Sequence, residues 1–184
     1  KQEKISNITV ITADIQAFEP ETTFDRIVSI EMFEHLSNYK ALFKKLNGWL
    51  NKNGYLFVHV FGHKEYTYPF VNATTTDWMA RHFFTGGIMP SEQLFSHFSN
   101  ELYLAEQWRV NGQHYEKTCN QWLMNIMKNK AEVLKIFKQT YGEKLAKLKW
   151  VAWRIFFIAC AELFGCKKGT EWMVFHYIFK KKAI

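Results

Sequence analysis

The chain has 184 residues, 48% of them hydrophobic and 17% aromatic, with nine Gly, three Pro and three Cys. That balance describes one globular domain with a substantial core and excludes a disordered chain, a collagen-like repeat and a disulfide scaffold. The net charge of +7 is uneven: residues 1–127 carry 11 basic and 13 acidic side chains, residues 128–182 carry 13 and 4, and this basic last third reads as a solvated helical face with no nucleic-acid recognition motif beside it.

In chain order, Ile8, Val10 and Ile11 form a short β-branched run, read as a strand over residues 8–11 that stops at Asp14. Pro20 and its Glu and Thr neighbours mark a loop. FDRIVSI, residues 24–30, predicts a second strand. A helix is expected over residues 39–50, where Leu42, Leu46 and Leu50 recur at i, i+4 and i+8 and Phe43 and Trp49 widen the apolar face. Asn53-Gly54 stops it. GYLFVHVF, residues 54–61, is nearly continuous in apolar side chains, as in a strand covered on both faces. Strand, helix, strand at this spacing suggests a parallel α/β sheet.

Residues 63–90 form a long irregular connection with a Gly86-Gly87 hinge, the kind of segment used as a lid. Ser91 is the expected N-cap of a following helix. A further strand is read over residues 102–110, helices over 115–130 and 143–164, and a final aromatic strand over 171–180. Cys119, Cys160 and Cys166 show no CxxC and no zinc-ligand spacing, so they read as buried thiols in a reducing, cytoplasmic compartment. The apolar stretch 150–161 is interrupted by Arg154 and falls well short of the roughly 20 residues of a spanning helix.

Ligands of such sheets sit beyond the carboxyl ends of the strands, which here carry polar clusters at residues 14–16, 31–35 and 59–63. Glu31, Glu34 and His35 lie within five residues of one another. A carboxylate beside a carboxylate holds its proton more tightly, and the set can attract an ammonium and accept its proton; acids also suit a helix N-terminus on dipole grounds alone. Asp14 suits a hydrogen bond to an adenine amino group or the capping of a turn. His59 and His63, four apart on a strand, do not share a face as helical metal ligands do, so no metal is expected, and His59 is read as facing the cleft.

SIEMFEH, HKEY, DWMARHFFTGGIMPS, WRVNGQHY, FFIACAELFG and EWMVFHYIFKKK, matching in order, together resemble the S-adenosylmethionine-dependent methyltransferases of the cyclopropane-fatty-acid-synthase superfamily, in particular its coclaurine N-methyltransferase-like branch. The resemblance implies a class I methyltransferase (Rossmann-like) α/β sheet, of which residues 1–184 supply the C-terminal portion: strands 3 to 7, an antiparallel last strand and a helical insertion, without the N-terminal cap and Gly-rich cofactor loop. It implies S-adenosyl-L-methionine as cofactor, S-adenosyl-L-homocysteine as product, and Asp14, Ile15 and Ile30 as cofactor-lining residues. It makes Glu31, Glu34 and His35 the catalytic group that positions and deprotonates an amine, and His59, Phe61 and Tyr115 the substrate pocket.

The lipid-modifying relatives carry Gly in place of Glu31 and hold a bicarbonate base with the counterparts of Glu34, His59 and Tyr115. Glu31 adds negative charge where that anion would bind, and Phe61 replaces a smaller aliphatic residue. The balance favours N-methylation of a small hydrophobic or aromatic amine over lipid cyclopropanation, with a non-catalytic fragment that binds a partner through an open sheet edge as the third reading. The expected partners are that amine and, on the alternative readings, a membrane surface or a second copy through homo-oligomerisation or strand exchange at an open sheet; no nucleic-acid partner is expected.

Overall fold

The computed structural model describes residues 6–74, 77–98 and 100–182. Its centre is a four-stranded sheet in the order β1-β2-β6-β5, built from β1 (Phe24–Ile30), β2 (Leu50–His63), β5 (Leu102–Val110) and β6 (Trp172–Lys181). β1 and β2 run parallel, whereas β6 is antiparallel to both β2 and β5. The antiparallel last strand is therefore present, and the expected parallel arrangement is confined to one pair among the described strands.

Between β1 and β2 lie a 3-10 turn at Phe33–His35 and helix α1 (Tyr39–Trp49). Asn38 caps α1 by accepting a hydrogen bond from the Ala41 amide at 3.1 Å, so a polar side chain satisfies one of the free donors of the first turn. The predicted apolar spacing is the buried face: Leu42, Phe43 and Leu46 pack against Leu56, Val58 and Phe179 of the sheet, each contributing about 1.5–3 kcal/mol by leaving water. Phe33 sits at the centre of this cluster, edge-on to Phe43 and Phe95.

The connection after β2 is pinned. His63 N–H donates to Pro90 O at 2.9 Å, and Glu92 N–H donates back to His63 O at 3.1 Å. Within it lie the two-stranded pair β3 (Tyr68–Pro69) and β4 (Ile88–Met89) and the short helix α2 (Trp78–His82). The helical insertion consists of α3 (Gly112–Lys128), α4 (Lys130–Tyr141) and α5 (Glu143–Gly169), placed between β5 and β6. α5 leaves helical geometry at Cys166, Lys167 and Lys168.

Two sequence expectations change. Residues 8–11 form no strand: Ile8, Val10 and Ile11 are exposed, because among the described residues no strand lies alongside to take up their backbone hydrogen bonds, and β-branched propensity alone does not hold an isolated strand. Ser91 caps no α-helix. It bridges His63, which keeps the chain extended there, and a 3-10 helix, Leu94–Phe98, follows to drop Phe95 into the core. Residues 131–141, between the two predicted helices, are also helical, with none of their side chains buried.

β1 is a free edge. Phe24, Val28 and Ile30 remain exposed along it, beside a cavity of about 450 Å³ that Ile15, Phe18 and Trp49 also line.

Candidate active site

Glu31 stands at the point where β1 ends. Its backbone is left-handed, φ 50°, and its N–H still donates to the His59 carbonyl of β2 at 3.0 Å. The turn aims its carboxyl at β2, where Oε1 lies 3.2 Å from Nε2 of His59. Three residues on, the 3-10 turn buries Glu34 almost completely. Burial, then the neighbouring Glu34 charge, pushes the Glu31 carboxyl up to about 8 against the pull of the Phe61 backbone amide; burial pushes Glu34 up to about 7. Oε1 of Glu31 and Oε2 of Glu34 accept no hydrogen bond from the described residues. Buried polar atoms are normally paired; the Glu31 oxygen has the His59 ring beside it, whereas the Glu34 oxygen has no hydrogen-bond partner among the described residues and can meet a donor.

His35 stands at the rim with its side chain about half exposed, Nε2 3.7 Å from Oε1 of Glu34. Its ring stacks on Phe84, centroids 5.9 Å apart and planes 15° apart. Phe84 comes from the long connection, next to the Gly86-Gly87 hinge. A side chain on Gly87 would meet the Glu34 carbonyl at 3.0 Å, so a glycine there lets the loop lie directly on the acidic turn.

The strand period places His59 and Phe61 on one face of β2. Phe61 packs edge-on to Phe84 and Phe164, and Tyr115 of α3 packs on Phe164 at 4.5 Å. Burial, then the Glu31 charge, raises the Tyr115 hydroxyl far above its ordinary range. A cavity of about 330 Å³ lies against Glu31, His59, Tyr115 and Trp122. Phe61, Phe70, Phe84 and Cys160 line a smaller apolar pocket on the other side of Tyr115.

Glu31, Glu34, His59 and Tyr115 are thus brought together, with His35 at the mouth and Phe61 in the wall. Of the three residues expected at a cofactor, Ile30 directly precedes Glu31, and Asp14 and Ile15 lie in a turn on the His35 side. Asp14 is exposed and its Oδ1 accepts from the Gln16 amide at 2.8 Å, which is the turn-capping alternative. Ile15 follows in the same turn and shares with Gln16, His35 and Gly86 a cavity of about 520 Å³. Ile30 is exposed on the β1 edge. Sequence reasoning missed Phe84, whose signal was its place beside the hinge glycines, and His176, whose Nε2 lies 2.8 Å from Nδ1 of His59 and which only the strand register reveals. Among the described residues no group of His, Cys, Asp and Glu is arranged to hold a metal ion.

The family described as mycolic acid cyclopropane synthetase matches residues 1–172, and the chain belongs to it. The chain is 38% identical over 99% of its length to (S)-coclaurine N-methyltransferase of Papaver somniferum, covering 53% of that protein. It is 33% identical to pavine N-methyltransferase of Thalictrum flavum subsp. glaucum, covering 52% of it. Among solved structures it resembles coclaurine N-methyltransferase bound to N-methylheliamine and SAH, with TM-score 0.88 and 34% identity over 96% of this chain and 52% of that one. The cyclopropane synthase MmaA2 of Mycobacterium tuberculosis shares the fold, with TM-score 0.69 and 20% identity over 87% of this chain and 56% of the other. The fold is accordingly that of the class I methyltransferases, and the chain spans about half the length of the curated relatives it matches.

Proposed function

We propose that this chain is the catalytic portion of an S-adenosylmethionine-dependent methyltransferase that acts on the nitrogen of a small hydrophobic or aromatic amine. The observation that carries the reading is the buried, unpartnered carboxyl oxygen of Glu34 next to Glu31, whose own carboxyl faces a cavity that Tyr115 and Trp122 also line. Two adjacent acids, Glu34 buried and Glu31 half-buried, do not both ionise readily. The one that ionises attracts an ammonium and, within hydrogen-bond reach of it, takes its proton and frees the nitrogen lone pair. Phe61, Phe84 and Tyr115 suit the apolar body of such an amine, and faces of aromatic rings favour a cation. His35, fixed by its stack on Phe84, closes the rim next to Glu34.

When bound, S-adenosylmethionine supplies an electrophilic sulfonium methyl group; Asp14, Ile15 and Ile30 are the residues of this chain that would line it, and the cavity shared by Ile15, Gln16 and His35 has the room. The names of the relatives, coclaurine and pavine N-methyltransferases, support nitrogen as the acceptor. Glu31 also argues against the lipid branch, because its own carboxyl occupies the space beside His59 that an anionic base would need. Three free thiols, two of them buried, accord with a reducing, cytoplasmic setting; among the described residues no helix is long and apolar enough to cross a membrane.

The test combines calorimetric titration of S-adenosylhomocysteine into the 184-residue chain with transfer of a labelled methyl group to coclaurine. We expect binding and an N-methylated product. Glu31→Gln or Glu34→Gln should lower turnover by about 100-fold or more, as for other lost general bases, with cofactor affinity little changed. A chain that neither binds nor transfers, or variants that turn over at the parent rate, would sink the reading.

A further inference from the structure

His176 lies outside the group assigned above, on β6 directly across from His59 on β2. The two rings meet at 2.8 Å between Nδ1 of His59 and Nε2 of His176. The other nitrogen of His59, Nε2, lies 3.2 Å from Oε1 of Glu31, which gives an unbroken line from the carboxyl through one imidazole to the next. Trp108 of β5 packs edge-on to His176 at 5.1 Å, and Phe57 of β2 packs against it at 5.2 Å. The titratable groups facing the pair are Glu31 with Glu34 behind it, and His114 and Tyr115 from α3.

A neutral imidazole carries one ring hydrogen, and which nitrogen holds it is set by the partner of the other. Only one hydrogen fits between two nitrogens 2.8 Å apart. We propose that His176 is a positioning residue for the reaction: its Nε2 accepts the Nδ1 hydrogen of His59 and so turns the Nε2 lone pair of His59 toward Oε1 of Glu31, giving Glu31 an acceptor once it has taken the amine's proton. The inference rests on the amine reading for its role in catalysis. The proton balance is simple: the N–H electrons stay on nitrogen, the proton goes to the Glu31 carboxyl, and the acid so formed donates to His59. Hydrogen bonding to the neutral form of an acid strengthens its conjugate base, so His176 sets how well Glu31 holds that proton. Burial, which lowers the basicity of both imidazoles, keeps the pair neutral and favours this arrangement.

The experiment is nitrogen-15 NMR of the imidazoles together with carbon-13 NMR titration of Glu31, on the 184-residue chain, with His176→Phe and His176→Gln. Phe keeps a ring against Trp108 and Phe57 but removes the acceptor, whereas the Gln side-chain oxygen can accept from Nδ1 of His59. We expect His59 to carry its hydrogen on Nδ1 in the parent chain, to shift it to Nε2 in His176→Phe, and to return it to Nδ1 in His176→Gln. In step with this, the Glu31 midpoint should fall by about one pH unit in the Phe variant, the scale of one hydrogen bond to a charged group, and recover with Gln. A His59 hydrogen on Nε2 in the parent chain, or a tautomer and a Glu31 midpoint indifferent to the Phe change, would overturn the proposal. These spectra need no turnover, so a failure to methylate amines would count against the function alone.

Discussion

Glu31 is costly twice over. At φ 50° it occupies the left-handed region, which a residue bearing a Cβ enters at a cost of about 1–2 kcal/mol, and it puts a second carboxyl next to buried Glu34. What the chain gains is direction: the reversed backbone at the end of β1 sends the carboxyl back across the sheet to His59. Glycine would relieve both costs. Glu31→Gly should therefore stabilise the fold by about 1 kcal/mol in urea unfolding at pH 8, after allowing for the extra freedom glycine gives the unfolded chain, while removing methyl transfer. A variant no more stable than the parent would remove strain from the account of this residue. At this scale the acids and His35 were legible in EMFEH because three such groups follow a strand directly. The left-handed turn and the contact with His176 were not, since both depend on how strands pair.

The elements that hold the site were read well where burial sets the pattern and poorly where it does not. α1 and β6 follow their apolar spacing to within a residue at either end, because one face of each is fully buried. α4 has no buried side chain and offered no stripe to read. Residues 8–11 have the composition of a strand and lack a neighbour. The long irregular connection is legible in the sequence, but not the way it is fastened. A side chain on Gly62 would meet Pro90 O at 2.5 Å and the Phe175 ring at 2.8 Å, at the point where His63 ties the end of the connection to β2. Neither a backbone carbonyl nor a core ring yields easily, so Gly62→Ala should cost about 1–3 kcal/mol by overpacking. It should also loosen the loop that carries Phe84, raising the exposure of His35 to solvent. Chemical denaturation read alongside hydrogen exchange over residues 84–90 checks both; an Ala variant with parent stability and exchange would show that the loop is fastened elsewhere.

For the molecule as a whole, Glu31 and Glu34 give stability a characteristic pH dependence. Glu31 and Glu34 have folded-state values raised to about 8 and about 7 from an unfolded value near 4.5. Between 4.5 and those values the folded chain binds more protons than the unfolded one, so unfolding free energy falls as pH rises through that window and levels off above it. His59 and His176 act oppositely: burial lowers both, so their penalty develops as pH falls below the ordinary imidazole value of about 6.5. Exposed Glu19 and half-buried Glu171, held low by lysine partners, contribute above the usual carboxylate range and lose that contribution only in more acidic solution. The interval from pH 7 to 8 therefore belongs mainly to Glu31. Stability measured by urea unfolding should decline there by well under the ideal value of about 1.4 kcal/mol per pH unit, because a third of the Glu31 side chain remains in water and solvent screens it. Glu31→Gln should flatten the decline above pH 7, and Glu34→Gln should flatten it mainly below. A parent chain whose stability climbs steadily from pH 6.5 to 8 would mean that both carboxyls are ionised and satisfied in the folded state, and the case for a site awaiting a cationic amine would fall with it.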